Sequence, residues 1–382
     1  MHTAPENREL RTRRAALYHD QEYAMSDSMG YGTFEAAAAK SAAIEADLPL
    51  HPERYRVLTG DRPTGRLHIG HLFGSLQNRV RLANLGVATY IVIADYQVLT
   101  DRETFEAIAE NTRELTIDYL AVGIKPGERV HIFPHSHVPE LNQLLLPFLT
   151  LVTNAELNRN PTVKEEIAAS GMKNITAGMY TYPVHQAADI LFCKGNTVPV
   201  GKDQLPHLEL TRVIARRFNE RFAAGKPVFP EPQALLSAAP TILGLDGNQK
   251  MSKSRGNAIM LCATADETAA LIKKAKTDPD RNITFDPEKR PEVSNLLLIT
   301  SLCTGEKPAD IAARIGDQGA GALKRTVTET LNEYLRPIRA ERLRLESDPA
   351  YIRSVLRSGI DSAREAAIAT LQEVRAAMHM EL

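Results

Sequence analysis

Apolar positions change their spacing twice along this chain. Residues 1 to about 50 have weak apolar periodicity and an alanine run, Ala36 to Ala39, which predicts an extension with one short helix between Thr33 and Ala46. From Tyr55 onward short continuous apolar runs take over. Arg56–Gly60, Ala88–Ala94 and Arg129–Pro134 predict buried strands, with helices over His71–Leu85 and Phe105–Val122 between them. Strands alternating with helices imply a parallel sheet whose ligands lie at the carboxyl ends of its strands. After Thr264 the strand-like runs stop. Glu267–Lys276, Val293–Cys303, Gly321–Leu335 and Tyr351–Met378 predict helices. In the last of these, Ile352, Val355, Leu356, Ile360, Ala363, Ala367, Leu371, Val374 and Met378 keep the three-and-four spacing of one apolar face. The expected organisation is α/β: an extension over 1–54, a parallel-sheet domain over 55–263 and an all-helical domain over 264–382.

Composition removes several classes of function. A chain of 382 residues with 43% apolar and 24% charged positions is an ordinary globular chain, long enough for two domains. The formal charge of −1 supplies no global basic field, so any nucleic-acid contact must rest on local patches. No apolar run is long enough to span a membrane. Cys193, Cys262 and Cys303 are scattered and lack metal-ligand spacing, so free thiols in a reduced, cytoplasmic compartment are expected, with neither zinc nor an iron–sulfur cluster. Arg8, Arg11, Arg13 and Arg14 are interleaved with Glu6, Glu9, Asp20 and Glu22, which argues against a targeting signal.

Two segments carry candidate chemistry. In the first, Gly60-Asp61-Arg62-Pro63-Thr64-Gly65-Arg66-Leu67-His68-Ile69-Gly70-His71, repeated glycines let backbone approach a nucleotide. The helix that follows turns its positive end toward phosphates. Alone, a histidine pair three apart is more often a helix cap than a catalytic pair. In the second, Lys250-Met251-Ser252-Lys253-Ser254, two lysines and two serines after a Leu245-Asp246-Gly247 turn could wrap a triphosphate. A bare KxxK would read as a solvated turn.

Together and in this order the segments resemble the HIGH and KMSKS signatures of class I aminoacyl-tRNA synthetases. The resemblance implies a Rossmann-like catalytic domain followed by a helical tRNA-binding domain. Thr59 to Ser75 is similar to the first signature of the tryptophanyl family, which shares its xP[ST]G element with tyrosyl relatives. By that resemblance Arg62, Pro63, Thr64, Gly70, His71, Lys250, Met251, Ser252, Lys253 and Ser254 contact ATP. His68, His71, Lys250 and Lys253 serve catalysis. Mg²⁺ accompanies the nucleotide.

Asp189 stands in an otherwise apolar helix, Tyr182 to Leu191, where a carboxylate is costly unless a donor meets it. On the residues alone, a salt bridge or a capping contact competes with a ligand N–H. The runs Tyr182–Leu191 and Val198–Arg212 resemble the tryptophanyl substrate region, and Pro199-Val200-Gly201-Lys202-Asp203-Gln204 stands where tyrosyl enzymes carry a GGxDQ element. This implies that Asp189 accepts the indole N–H of L-tryptophan. Tyr182, Gln186, Val198, Val200, Gln97 and His135 fall on tryptophan-binding positions, Gly201, Lys202 and Asp203 on ribose contacts, and Ile242 on an adenine-side backbone contact. Three residues depart from the family pattern: Gln97 replaces a histidine, His135 a glutamine and Gln186 a methionine. The implied activity is tryptophan–tRNA ligation by a homodimer that binds tRNA(Trp). Tyrosyl-type specificity and a paralogue with an added binding role are the alternatives. Arg336, Arg339, Arg342 and Arg344 are close enough in sequence to share one tRNA-facing side of a helix, although a solvated face is the plainer expectation.

Overall fold

The computed structural model describes residues 34–101, 105–170, 175–223, 225–236, 241–247 and 249–381. Most of the extension, residues 1–33, lies outside the described residues. The helix expected in the extension is present as α1, Phe34–Asp47.

Five parallel strands form one sheet: β1 (Arg56–Asp61), β2 (Ala88–Ile93), β3 (Val130–Pro134), β4 (Thr197–Val200) and β5 (Gln233–Leu236). Their spatial order is β3-β2-β1-β4-β5. The chain winds outward from β1 to β3, then crosses back to lay β4 on the other side of β1. That reversal leaves a crevice beyond the carboxyl ends of β1 and β4. β1 to β3 match the expected strands. β4 and β5 have four residues each, too short for an apolar run to reveal them.

Between β1 and β2, Ile69–His71, a π-helical segment Leu72–Leu76 and Gln77–Asn84 make one continuous helix, α2. Then come α3 (Ile108–Ala121), α4 (Ala177–Leu191) and α5 (Leu205–Phe222), with shorter helices between β3 and α4. The carboxyl-terminal part contains α6 (Ala265–Lys274), α7 (Pro291–Thr304), α8 (Pro308–Ile315), α9 (Gly319–Glu346) and α10 (Pro349–Ala377). Local chemistry sets several starts. Thr264 and Glu267 cap α6 reciprocally, and the Asp348 carboxylate accepts from Tyr351 N–H at the start of α10. α9 runs well past the expected end at Leu335, through Pro337, because its far half buries Arg342 and Leu345.

Alternation along the strands divides the interior into two layers. Ile91, Ile93 and Ile132 face one layer with Leu72 and Leu76 of α2, Leu115 of α3 and residues of α7 and α9. Leu58, Tyr90, Val92, Phe133 and Val198 face the other with Ala187 and Ile190 of α4 and Ile214 of α5. Burying each such side chain stabilises by roughly 1.5–3 kcal/mol. α10 straddles the β3 edge: Ile352 and Val355 belong to the first layer, Ala363, Ala367 and Leu371 to the second. The crossing works because Gly359 lies flat on the strand, where a Cβ would fall 2.0 Å from the Ile132 carbonyl oxygen. At the opposite edge α1 packs on β5, and the buried Ser41 hydroxyl accepts from Leu236 N–H at 2.8 Å. Both edges of the sheet are thereby covered.

Candidate active site

An open cleft of about 370 Å³ occupies the crevice where the strand order reverses. Its floor is Thr59-Gly60-Asp61 from the end of β1, Val92 and Ala94 from β2, and Val198 to Gly201 from β4. Gly60 permits the close strand approach, since a Cβ there would lie 2.0 Å from the Val92 carbonyl oxygen. Of the residues singled out in the sequence, Arg62, Gln97, Tyr182, Gln186, Asp189, Val198, Val200 and Gly201 line this one cleft. They come from four separate stretches of chain.

A buried cluster fixes the end of β1. Asp61 accepts from Arg79 at 2.5 Å and from the Tyr119 hydroxyl at 2.7 Å, while Arg79 also donates to the Gly60 carbonyl. Burial pushes the Asp61 carboxyl up, but the charge and hydrogen bond of Arg79 outweigh it and hold the group at about 2. Sequence reading missed this cluster. Asp61 stands inside the first signature segment, but nothing along the chain pairs it with Arg79 or Tyr119.

The two signatures meet beside the cleft. Lys253 Nζ donates to the Thr64 carbonyl at 3.1 Å, Met251 packs against Gly70 of the first signature, and a Cβ on Gly70 would fall 2.9 Å from Nδ1 of the His68 ring. Backbone bonds join the same regions: Ile69 N–H to the Ile259 carbonyl and Leu261 N–H to the Leu67 carbonyl. Met251 N–H donates to the carbonyl of buried Ile242 at 3.0 Å, and Ser252 N–H to Asn257 Oδ1 at 2.9 Å. The Ser254 backbone lies in the short 3-10 turn Lys253–Arg255. Pro63 is buried next to Arg62.

His68 and His71 cap the start of α2 and also face the lysines. His68 Nδ1 accepts from Gly70 N–H at 3.1 Å, and His71 Nδ1 accepts from His68 N–H at 3.3 Å. A ring nitrogen that accepts carries no proton, so in each neutral ring the proton sits on Nε2. Burial depresses His68 to about 3, helped by His71, Lys253 and Lys250. His71 is held at about 4, burial outweighing the opposing pull of Asp61. Both rings are therefore neutral Nε2–H donors at pH 7. The helix-cap and functional readings of this pair coexist, because capping uses one nitrogen and leaves the other.

On the other side, Asp189 is 2% exposed on α4, and its Oδ1 lies 3.0 Å from Nδ1 of fully buried His135. His135 stands behind Asp189, off the cleft wall. Tyr182 is fixed by a 3.0 Å bond between its hydroxyl and His207 Nε2; burial holds His207 at about 4 despite Asp203. Asp203 folds back over Gly201, where a Cβ would lie 2.5 Å from its Oδ1, and Lys202 sits 5.2 Å from the ring centroid of Phe34 on α1. His135, His185 and Asp189 place potential metal-ligand atoms within 4.8 Å of one another. Their pairing is already internal: His135 with Asp189, and His185 Nε2 with Asn142 Oδ1 at 2.7 Å.

The four arginines expected to share one face do not. Arg342 is buried, forming close ion pairs with Glu114 and Asp118 of α3. Arg339 donates inward to Asn332 and Thr268. Arg336 and Arg344 remain exposed, each paired with a glutamate on its own helix. All four lie on α9, where 100° per residue spreads their positions around the helix. The buried pair reaches the first signature: Glu114 also accepts from Arg66 at 2.8 Å, and Asp118 accepts from Leu67 N–H at 2.8 Å. Burial lifts the Asp118 carboxyl to about 6, against the pull of Arg342 and Leu67 N–H.

A parallel sheet with a cleft at its reversal point, flanked by joined HIGH and KMSKS segments, defines a class I aminoacyl-tRNA synthetase core. Residues 51–336 match the family described as tRNA synthetases class I (W and Y), and the chain belongs to that family. A tryptophan–tRNA ligase of Clostridium longisporum is 42% identical over 333 residues, covering 85% of this chain and 97% of the relative. The tryptophan–tRNA ligase of Treponema pallidum is 41% identical, covering 85% and 96%. Among solved structures, tryptophanyl-tRNA synthetase from Campylobacter jejuni, complexed with ADP and tryptophan, superposes with a TM-score of 0.74 at 28% identity, covering 85% of this chain and 99% of that one.

Proposed function

We propose that this chain is an ATP-dependent tryptophan–tRNA ligase. The carrying observation is a cleft lined by a nearly buried carboxylate, Asp189, and by the apolar side chains of Val198 and Val200, with both signatures at its flank. An indole brings an apolar body and a single N–H, which suits those walls and that acceptor. The tyrosyl alternative is disfavoured by the tryptophan–tRNA ligase relatives at 41–42% identity.

In the first step a tryptophan carboxylate oxygen attacks the α-phosphorus of ATP, and the bond to pyrophosphate breaks. In the second a ribose hydroxyl at the tRNA terminus attacks the activated carbonyl and AMP leaves. The protein supplies no nucleophile, so catalysis is positioning and stabilisation of growing charge. His68 and His71 offer Nε2–H to phosphate oxygens. Lys250 and Lys253 receive the leaving pyrophosphate, with Thr64, Met251, Ser252 and Ser254 completing the loop contacts. Arg62, Pro63, Gly70, Gly201, Lys202, Asp203 and Ile242 hold the nucleotide. Mg²⁺ with ATP supplies further charge neutralisation on the phosphates.

Asp189, Tyr182, Gln186, Val198, Val200 and Gln97 select the amino acid. Residues 55–263 act as the catalytic domain and 264–382 as the tRNA(Trp)-binding domain of a cytoplasmic homodimer. Among the described residues no helix is long and apolar enough to cross a membrane. ATP–pyrophosphate exchange across the twenty amino acids tests the specificity: tryptophan alone is expected to drive it, and equal exchange with tyrosine would remove the assignment. Sedimentation with and without tRNA(Trp) tests the dimer.

A further inference from the structure

We propose that His135 is a positioning residue for amino-acid selection, holding the Asp189 carboxylate by one oxygen and leaving the other for the ligand. The proposal rests on the tryptophan reading and extends it to a residue that does not touch the ligand. His135 is fully buried and absent from the cleft wall, whereas Asp189 forms part of that wall. Its role is set by a backbone group. Tyr96 N–H donates to His135 Nε2 at 3.0 Å, so that nitrogen carries no proton in the neutral ring. The proton then sits on Nδ1, 3.0 Å from Asp189 Oδ1.

The donor of that backbone bond is itself anchored. Asp95 Oδ1 accepts from the N–H groups of Tyr96 and Ser136, both at 3.1 Å, and its Oδ2 takes the Ser136 hydroxyl. Asn142 ties the remaining side, donating to the His135 carbonyl and pairing with His185. His185 packs edge-on to His135 with centroids 4.8 Å apart, and the Tyr96 ring lies 5.4 Å away. The titratable groups facing His135 are thus Asp189, Asp95 at 3.3 Å from Nε2, and His185. Burial pushes His135 down, but the charge and hydrogen bond of Asp189, then Asp95, raise it above the ordinary histidine value. A second proton on Nε2 would displace the Tyr96 N–H and compensate the Asp189 charge, weakening the acceptor offered to an indole.

Glutamine at 135 can reproduce the geometry without titrating, because its amide N–H can donate to Asp189 while its carbonyl accepts from Tyr96. The experiment is tryptophan-dependent pyrophosphate exchange from pH 6 to 8.5 with wild type, H135Q and H135L. For H135L, the tryptophan KM should rise about tenfold or more with the ATP KM unchanged, the scale of one lost charge-assisted hydrogen bond. H135Q should stay near the wild-type KM at pH 8.5, and lose the wild-type rise in tryptophan KM on acidification. If H135L binds tryptophan like wild type, or if H135Q and wild type share one pH profile, the proposal is overturned. Should H135L fail to fold, the H135Q profile still decides. Absence of tryptophan-dependent exchange in wild type would instead overturn the tryptophan reading.

Discussion

The two flanks of the cleft use the same side chain in opposite electrical settings. At the signature flank His68 and His71 accept backbone N–H bonds on Nδ1 and face lysines, which leaves neutral Nε2–H donors. At the amino-acid flank His135 lies between two carboxylates, donates from Nδ1 and holds its proton more tightly. All three rings are largely buried, so burial alone does not sort them. The charges within a few ångströms do. On the proposed function, the phosphate-handling flank needs donors that carry no competing proton chemistry, while the indole-selecting flank needs an acceptor held still.

The largest expected effect undermines the support of the signature flank. Arg342→Ala leaves the buried Asp118 carboxylate without its cation and takes one of three arginines from Glu114, and should cost about 3–5 kcal/mol of unfolding free energy, measured by urea denaturation. Arg342→Met with Glu114→Gln should recover much of that loss. If Arg342→Ala melts like wild type, the buried pair does not brace Arg66 and Leu67. Next in size, His68→Ala or His71→Ala should slow pyrophosphate exchange by roughly 10²–10³, about 2.7–4 kcal/mol, with tryptophan binding by titration calorimetry unchanged. Equal losses in tryptophan binding would break the division between flanks. Asp189→Asn keeps the shape but removes the anion; its tryptophan KM should rise about ten- to a hundredfold while the ATP KM stays put.

The smallest effect is in pH dependence. His68, His71 and His207 are depressed to about 3, 4 and 4, so the unfolded chain binds more protons than the native one below the ordinary histidine value of about 6.5. Their contribution to stability is complete above that value and is lost progressively as pH falls toward the native values. His135 has the opposite sign, contributing more below the ordinary value and losing it as pH rises through its raised native one. Urea midpoints for wild type and His68→Gln across pH 4.5–7.5 should show a shallower acid slope in the variant. Identical slopes would mean that His68 does not carry the depressed value.

How much of this was legible depended on how local each feature is. β1 to β3 and the carboxyl-terminal helices other than α8 announced themselves by period, whereas β4 and β5 are too short to do so. The signature segments were readable as contiguous strings. The cluster of Asp61, Arg79 and Tyr119 was not, since its members are 18 and 58 positions apart. Arg342 shows the same limit: it lies past the expected end of its helix at Leu335, and its carboxylate partners lie 224 and 228 residues earlier.

Sequence alone determined the family resemblance, the parallel-sheet class and the candidate residues, because short strings and apolar periods encode local backbone and chemistry. Tertiary structure alone decided which nitrogen of each histidine holds the proton, that His135 stands behind Asp189 instead of in the cleft, and that Arg342 braces the interior. Proton positions and burial are set by partners brought together through folding, and no spacing along the chain specifies them.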